Sequence, residues 1–264
     1  TEIYTLSLHD ALPISGIAAC DAGLYLLANS DTLFLPGSIK RLVEASAVHP
    51  SAGIVSPRLE WPDGTPQVSC FRFHAPPSEA IRSANTGIIT GLLKRYDVPV
   101  QPVLEPSNPE WTSFACVLIR KPVFDRIGLL DDGFFMYYED TDFCRRARLA
   151  GFDIVNWPAA RVVHLQGKSS DVNDRTAALK RLPDFYYRSR ARYYRKHYGK
   201  AGLVAANLFW MLGRVVSLGR QMAGNRRRPV PRGEFMGLWI NSFMTLRIEA
   251  DQFVATSLRD RRVI

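Results

Sequence analysis

Residues 23–55 read GLYLLANSDTLFLPGSIKRLVEASAVHPSAGIV, and their succession of apolar and polar runs sets the fold class. Residues 23–28 form an apolar run of strand length that stops at the polar Asn29-Ser30-Asp31-Thr32. Pro36-Gly37 then opens a helical pattern in which Ile39, Leu42, Val43 and Ala47 fall on one face, with Pro50 as its stop. Residues 53–55 are a second short strand. Strand, helix, strand at this spacing predicts a βαβ unit in an α/β fold with a Rossmann-like, mostly parallel sheet and flanking helices. Ligand sites in such sheets lie beyond the carboxyl ends of the strands, where Asn29 and Asp31 stand.

Downstream, residues 61–110 are rich in Pro, Ser and Gly, with one possible helix at 78–96, and read as a long mobile excursion. WTSFACVLIR (111–120) predicts a strand, and KPVFDRIG a short helix ending at Gly128. FDIVNW (152–157) and ARVVHL (160–165) predict two further strands, with His164 at the end of the second, just before Gln166-Gly167-Lys168-Ser169-Ser170.

Between them lies FFMYYEDTDFCRRAR (134–148), with three carboxylates in four residues. Helix capping and the helix dipole account for acids in a first turn followed by arginines, and for Asp142 in particular. They account less well for Glu139 and Asp140 at the junction with five large side chains, where partial desolvation raises the pKa of a carboxyl.

The chain has 264 residues, 47% hydrophobic and 22% charged, enough for one large domain or a domain with an appendage. Its net charge of +9 is uneven: residues 1–174 carry 15 basic against 20 acidic side chains, and residues 175–264 carry 19 against 5. The C-terminal region therefore reads as a separate, basic, helical part. Within it DFYYRSRARYYRKHYGK (184–200) interleaves Tyr with Arg, and GLVAANLFWMLGRVVSLGRQM (202–222) is strongly apolar but interrupted by Arg214 and Arg220. With Arg226 to Arg228 behind it, this predicts an in-plane or reentrant helix on an anionic membrane surface, inserting Leu203, Leu208, Phe209, Trp210 and Leu212. The four cysteines are far apart and form no CxxC or Cys/His cluster, which argues against a zinc site or disulfide framework and for a reducing cytoplasm.

The opening residues, TEIYTLSLHDALPI, are identical to an in-frame translation of a common sequencing adapter running on from GAG-ATC-TAC-ACT-CTT-TCC-CTA, so residues 1–15 are set aside. The expected organisation is then a partial catalytic domain at 16–174, its first strands missing, and a basic amphipathic helical region at 175–264.

Three elements stand in order: Asn29-x-Asp31 after a strand, Glu139-Asp140-x-Asp142 entering a helix, and His164-x-x-Gly-x-Ser after a later strand. Together with NSDTLFLPGSIKRLVEA, GLLDDGFFMYYEDTDFCRRARLAGF and VVHLQGKSS, this resembles the family 2 inverting glycosyltransferases of GT-A fold, especially the bacterial rhamnosyltransferase-like branch. The resemblance covers roughly residues 16–198. It implies transfer of a sugar from a nucleotide-diphosphate donor to an acceptor hydroxyl, with inversion, in cell-surface polysaccharide or glycolipid assembly at the inner face of the cell membrane. It implies Mg²⁺ or Mn²⁺ held by Asp31 and His164. Asn29, which stands where the family has its first acid, would line the donor site with Asp31, Lys168 and Ser169. Asp140 would be the base that takes the acceptor proton, with Glu139 beside it. Trp111, Ser113, Tyr138 and Asp142 would face a saccharide or lipid-linked acceptor.

Two other classes compete. A metal-dependent hydrolase also places Asp and His at strand ends but needs more ligands than this sequence offers. A non-catalytic or nucleic-acid-binding membrane-peripheral protein is suggested by YYRSRARYYRKHY, since basic residues among aromatics track a phosphate backbone and stack on bases. The apolar segment beside it favours a membrane surface instead.

Overall fold

The computed structural model describes residues 12–165, 175, 178–224, 230, 231 and 233–240. The chain begins with helix α1 (Leu12–Ala19), strands β1 (Leu24–Ala28) and β2 (Thr32–Phe34), helix α2 (Ser38–Val48) and strand β3 (Ala52–Glu60). Strand β4 (Cys70–Phe71), helices α3 (Ser78–Ala84) and α4 (Gly87–Leu92), and strands β5 (Pro99–Val100), β6 (Trp111–Thr112) and β7 (Cys116–Arg120) follow. Helices α5 (Lys121–Ile127) and α6 (Glu139–Leu149), strand β8 (Asp153–His164) and helices α7 (Asp184–Met222) and α8 (Glu234–Leu238) complete it.

The central sheet has the order β1-β7-β3-β8-β2. Strands β1 and β3 both pair antiparallel with β7, β3 pairs parallel with β8, and β2 runs against β8. Three strands thus run one way and two the other, where a mostly parallel sheet was expected. The strands of the expected βαβ unit do run parallel, but β7 lies between them. It has to run back, because the chain enters it from a small second sheet, β5-β4-β6, at the carboxyl ends of β1 and β3.

Two of the three strands of that second sheet, β4 and β5, and helix α3 are built from residues 61–110, so the excursion is packed structure. Gly-rich and Pro-rich sequence concealed it because its strands are only two residues long. The single expected helix at 78–96 is split by Asn85, whose φ of 46° is left-handed. Residues 152–165 likewise form one strand where two were expected. Pairing with β3 jumps from Pro57↔Trp157 to Arg58↔Arg161, so the strand bulges where Pro57 has no N–H to offer. The Asn156 side-chain amide donates to the Pro57 carbonyl at 2.9 Å across the irregularity. Helix α2 buries Ser38, Leu42, Ala45 and Ser46, while Val43 is exposed, so its inward face lies about one position off the apolar pattern.

Helix α7 runs 39 residues with one break at Gly199, whose φ of 70° and ψ of −175° are outside the helical range. Before the break, Tyr187, Arg190, Tyr193 and Tyr194 point inward and are essentially inaccessible. These three tyrosines and Arg190 are therefore core, which removes them from the stacking platform that a nucleic-acid reading requires. Beyond the break, α7 crosses α3 so closely that a Cβ on Gly213 would collide with the Ala80 carbonyl and the Ser83 hydroxyl. Ser83 Oγ donates to the Trp210 carbonyl at 2.7 Å. Leu203 and Trp210, expected to insert into a membrane, are buried at 1% and 3% exposure in this packing.

The two helices are joined by buried charge. Glu79 of α3 accepts from Arg190 Nε at 2.8 Å and Arg82 Nη2 at 2.8 Å, Arg82 also pairs with Glu234 of α8, and Arg190 Nη1 donates to Asn207 at 2.9 Å. Burial alone would raise the Glu79 pKa, but Arg190 and Arg82 outweigh it and hold the carboxyl down to about 2. Removing one member strands the other in low dielectric. Arg190→Ala should lower the unfolding free energy by about 3–5 kcal/mol in urea titrations, the range for breaking a buried pair. A loss below about 1 kcal/mol, the value of a surface pair, would show that the network is solvated.

Candidate active site

The carboxyl ends of β1, β3 and β8 and the starts of β2 and β7 share one edge of the sheet. Residues 29–32 cross that edge as a tight turn. Thr32 N–H and Oγ1 both donate to the Asn29 carbonyl, at 3.2 and 2.7 Å. The turn is pinned at both ends by main-chain bonds, Asn29 N–H to Ala115 carbonyl at 2.8 Å and Leu165 N–H to Asp31 carbonyl at 2.9 Å.

Between those pins Asp31 is only 6% exposed, and neither carboxylate oxygen has a hydrogen-bond partner. His164 Nε2 stands 3.4 Å from Oδ1, too far and too poorly aligned for a good bond but close enough to share a ligand. Asn29 Oδ1 is also buried and unpaired. Burial pushes the His164 pKa below its ordinary value, only partly offset by Asp31, so the imidazole is neutral and can ligate. Buried polar atoms are normally satisfied, and an ionised carboxylate without partners is costly. The unsatisfied Asp31 carboxylate and the neutral His164 imidazole beside it are the residues that would hold a divalent cation. Among the described residues no group of three or more His, Cys, Asp or Glu side chains is placed to hold a metal ion.

Gln67 supports this corner: its Nε2 donates to the His164 carbonyl at 2.7 Å and more weakly to the Glu60 carbonyl at 3.4 Å. Sequence reading passed over Gln67 because it lies in the stretch taken for an excursion.

The second acidic motif approaches from above β7. Helix α6 starts at Glu139, directly after Tyr137 and Tyr138, whose φ values of 67° and 70° are both left-handed. Two such residues in succession cost of order 1–3 kcal/mol each and persist only where surroundings enforce them. The enforcement here is aromatic. Tyr138 is buried against His74, Tyr186 and Tyr193, with ring centroids at 5.0, 6.0 and 5.4 Å.

The strained entrance points Glu139 and Asp140 back toward the sheet edge. Asp140 accepts from Thr141 N–H at 2.7 Å and from the Phe114 N–H, one residue before the Ala115 carbonyl that pins the first turn. Residues 114–115 therefore bridge the two acidic motifs. Glu139 Oε2 is buried with no partner. Burial raises both carboxyl pKa values, and the neighbouring Asp140 charge adds to the rise at Glu139, while donors from Thr141 and Phe114 restrain the rise at Asp140. The two carboxyls titrate as a pair, and Asp140, with donors at Thr141 and Phe114, is the one whose charged form the protein supports by hydrogen bonds.

The expected acceptor residues divide. Ser113 remains half-exposed at the rim. Trp111 is 8% exposed, stacked on Phe71 at 4.1 Å, with Nε1 donating to the Arg72 carbonyl at 2.8 Å. Tyr138 is 7% exposed inside its aromatic cluster, so it shapes the α6 entrance and offers no open face. Asp142 is fully buried. It accepts from Arg146 at 2.9 Å and His197 at 2.8 Å and pairs with Lys196 at 2.8 Å. Burial would raise its pKa, but these partners hold it well below the ordinary range. Asp142 is thus the buried anchor between α6 and α7, and no acceptor reaches it. Lys196 and His197, like Gln67, have no motif that singles them out. His74, also within the presumed excursion, lies between Trp111 and Tyr138, and burial lowers its pKa to about 4. Lys168 and Ser169 lie outside the described residues.

No family model matches the chain. It is 33% identical over 178 residues to an N-acetylglucosaminyl-diphospho-decaprenol L-rhamnosyltransferase of Mycobacterium tuberculosis, covering 63% of this chain and 57% of that one. A low-salt glycan biosynthesis hexosyltransferase of Haloferax volcanii is 31% identical over 110 residues, covering 32% and 35%. A rhamnosyltransferase of Escherichia coli is 31% identical over 72 residues, 27% of each chain. Among solved structures, a Pyrobaculum calidifontis mannosyltransferase with GDP-mannose and Mn²⁺ overlays with a TM-score of 0.43 at 10% identity, covering 82% of this chain and 55% of that one. The chain spans about half the length of the rhamnosyltransferase it matches over the longest of these stretches. The chain thus combines a mixed α/β sheet, an acidic turn and a Glu-Asp helix entrance meeting at one edge with a sequence similar over part of its length to rhamnosyltransferases and a hexosyltransferase.

Proposed function

We propose that the chain is the catalytic part of an inverting glycosyltransferase that moves a sugar from a nucleotide-diphosphate donor to an acceptor hydroxyl, with Mg²⁺ or Mn²⁺ bound at Asp31 and His164. One observation carries the reading. A buried carboxylate without a hydrogen-bond partner and a carboxyl pair raised in pKa flank the same two residues, 114 and 115, at one end of the sheet. The M. tuberculosis relative is named for an N-acetylglucosaminyl-diphospho-decaprenol substrate, and a saccharide on a polyprenyl diphosphate is the acceptor class we assign. The work would be cell-surface polysaccharide or glycolipid assembly, peripheral to the cytoplasmic face of the cell membrane.

A divalent cation bound at this corner neutralises charge that builds on the departing diphosphate. The chain's own residues do the rest. Asp140 takes the proton from the acceptor hydroxyl as its oxygen bonds to the anomeric carbon on the face opposite the diphosphate, whose bond to that carbon breaks. Attack from the opposite face inverts the configuration in one displacement. Glu139, holding its proton, donates a hydrogen bond that orients the acceptor or Asp140.

In assays of nucleotide-sugar transfer or hydrolysis, Asp140→Asn should lower turnover by about 10²- to 10⁴-fold with donor affinity retained. Near-normal turnover would move the base elsewhere. Asp31→Ala and His164→Ala should each weaken Mn²⁺-dependent donor binding, by about 10-fold or more; donor binding indifferent to chelators would remove the metal from the scheme. A third expectation concerns stability. Both carboxyls hold protons more tightly when folded, so this region loses stability as pH rises above the ordinary carboxylate range. Glu139→Gln should therefore stabilise the fold by on the order of 1 kcal/mol at pH 8, with a smaller gain at pH 4. A gain independent of pH, or a loss at pH 8, would contradict the raised pKa.

A further inference from the structure

Residues 200–222 of α7 have two faces. Leu203, Ala206, Asn207, Trp210, Gly213 and Ser217 are buried. Val204, Leu208, Leu212, Val215, Leu218 and Met222 are exposed, at 42, 53, 59, 65, 44 and 90%. The spacing of the exposed set, four, four, three, three and four residues, winds it into one stripe about 27 Å long at 1.5 Å per residue. Single exposed apolar side chains are ordinary, but a continuous apolar stripe marks a surface that is covered in use.

Charge decides what covers it. From residue 185 to residue 233 the chain has twelve Lys and Arg and no Asp or Glu; Arg190, Arg192 and Lys196 are paired with Glu79, Asp131 and Asp142, which leaves nine in a stretch of chain without an acid. A second copy of the chain seated on this stripe would bring two such acid-free segments together, like charge against like. An anionic lipid surface offers apolar depth and negative headgroups at once. Although α7 is long and apolar enough to cross a membrane, 33% of its most apolar window is buried. Its inner face is held by the Gly213 contact with α3 and by Arg220 donating to the Ala84 and Asn85 carbonyls at 3.2 and 2.9 Å. Crossing a bilayer would strip α3 from it.

We propose that this half of α7 lies in the plane of an anionic bilayer, with the stripe of Val204, Leu208, Leu212, Val215, Leu218 and Met222 seated among the acyl chains. The proposal deepens the assignment of a lipid-linked acceptor, since it puts the catalytic part at the surface where such an acceptor resides. It is tested without sugar transfer, so the two can fail separately.

The test is co-sedimentation of the full chain with vesicles of phosphatidylcholine alone or mixed with phosphatidylglycerol. The chain should bind the anionic vesicles and be released by high salt. Leu208→Asp/Leu212→Asp/Val215→Asp should weaken partitioning by roughly tenfold or more, with circular dichroism and the unfolding midpoint close to wild type, because all three sites are exposed. Leu104→Asp, at an exposed leucine elsewhere (73%), should change nothing. If the triple variant unfolds, Leu212→Asp alone decides by the same readout. Wild-type-like binding by the stripe variants overturns the proposal. So does a dimer seen by light scattering that the triple variant dissolves while vesicles bind neither protein, which would assign the stripe to a second copy.

Discussion

Two main-chain hydrogen bonds, Asn29 N–H to the Ala115 carbonyl and Leu165 N–H to the Asp31 carbonyl, hold the site in place. They stretch the turn at residues 29–32 from β7 to β8 and hold the Asp31 carboxylate where nothing in the protein satisfies it. A flexible turn would swing that carboxylate into water. The neighbours make the position permanent: β7 is locked between β1 and β3, and β8 is paired along both of its edges. The interior positions of these strands are almost wholly apolar. The stable part of the sheet thus underwrites an unstable arrangement at its edge.

The same division recurs at the Glu-Asp entrance. Two tyrosines with left-handed φ and two carboxyls raised in pKa each oppose folding on their own account. Opposing them are the aromatic cluster around Tyr138 and the ion pairs of Asp142 with Arg146 and Lys196, which fasten α6 from behind. Local rules of propensity and satisfaction fail together at residues 29–31 and 137–140, the clustering expected when stability is spent on a site.

The sequence was legible where a residue's role follows from its neighbours in the chain. The strand at 24–28, the polar turn after it and the helix start at Glu139 could all be read because apolar run, stop signal and first-turn acids are local. The Asp31–His164 proximity could be expected only from the order of motifs, and the structure does bring the two within 3.4 Å. What escaped reading is long-range. Nothing near Asp142 reveals that two of its partners are 54 and 55 residues away, and Gln67 and His74 sit in loops that carry no period. The orientation of β7 was equally invisible, because it depends on where the chain has been between residues 61 and 110. The tyrosines and Arg190 of α7 misled by composition: they looked like a surface and are an interior, because Arg190 has a carboxylate, an amide and a ring to face.

The pairing of Asp142 with His197 and Lys196 also fixes an order of events during synthesis. Helix α6 and the sheet leave the ribosome well before two of the three residues that pair with their buried acid, and Glu79 waits longer still for Arg190. At about 5–20 residues per second, the span from Asp142 to His197 is roughly 3–10 s of elongation. During that interval Asp142 has only Arg146, and Glu79 only Arg82, of the partners each has in the finished fold, and the aromatic hollow lacks its lid. It can close only when α7 arrives, so a helix made late completes the support of a site made early.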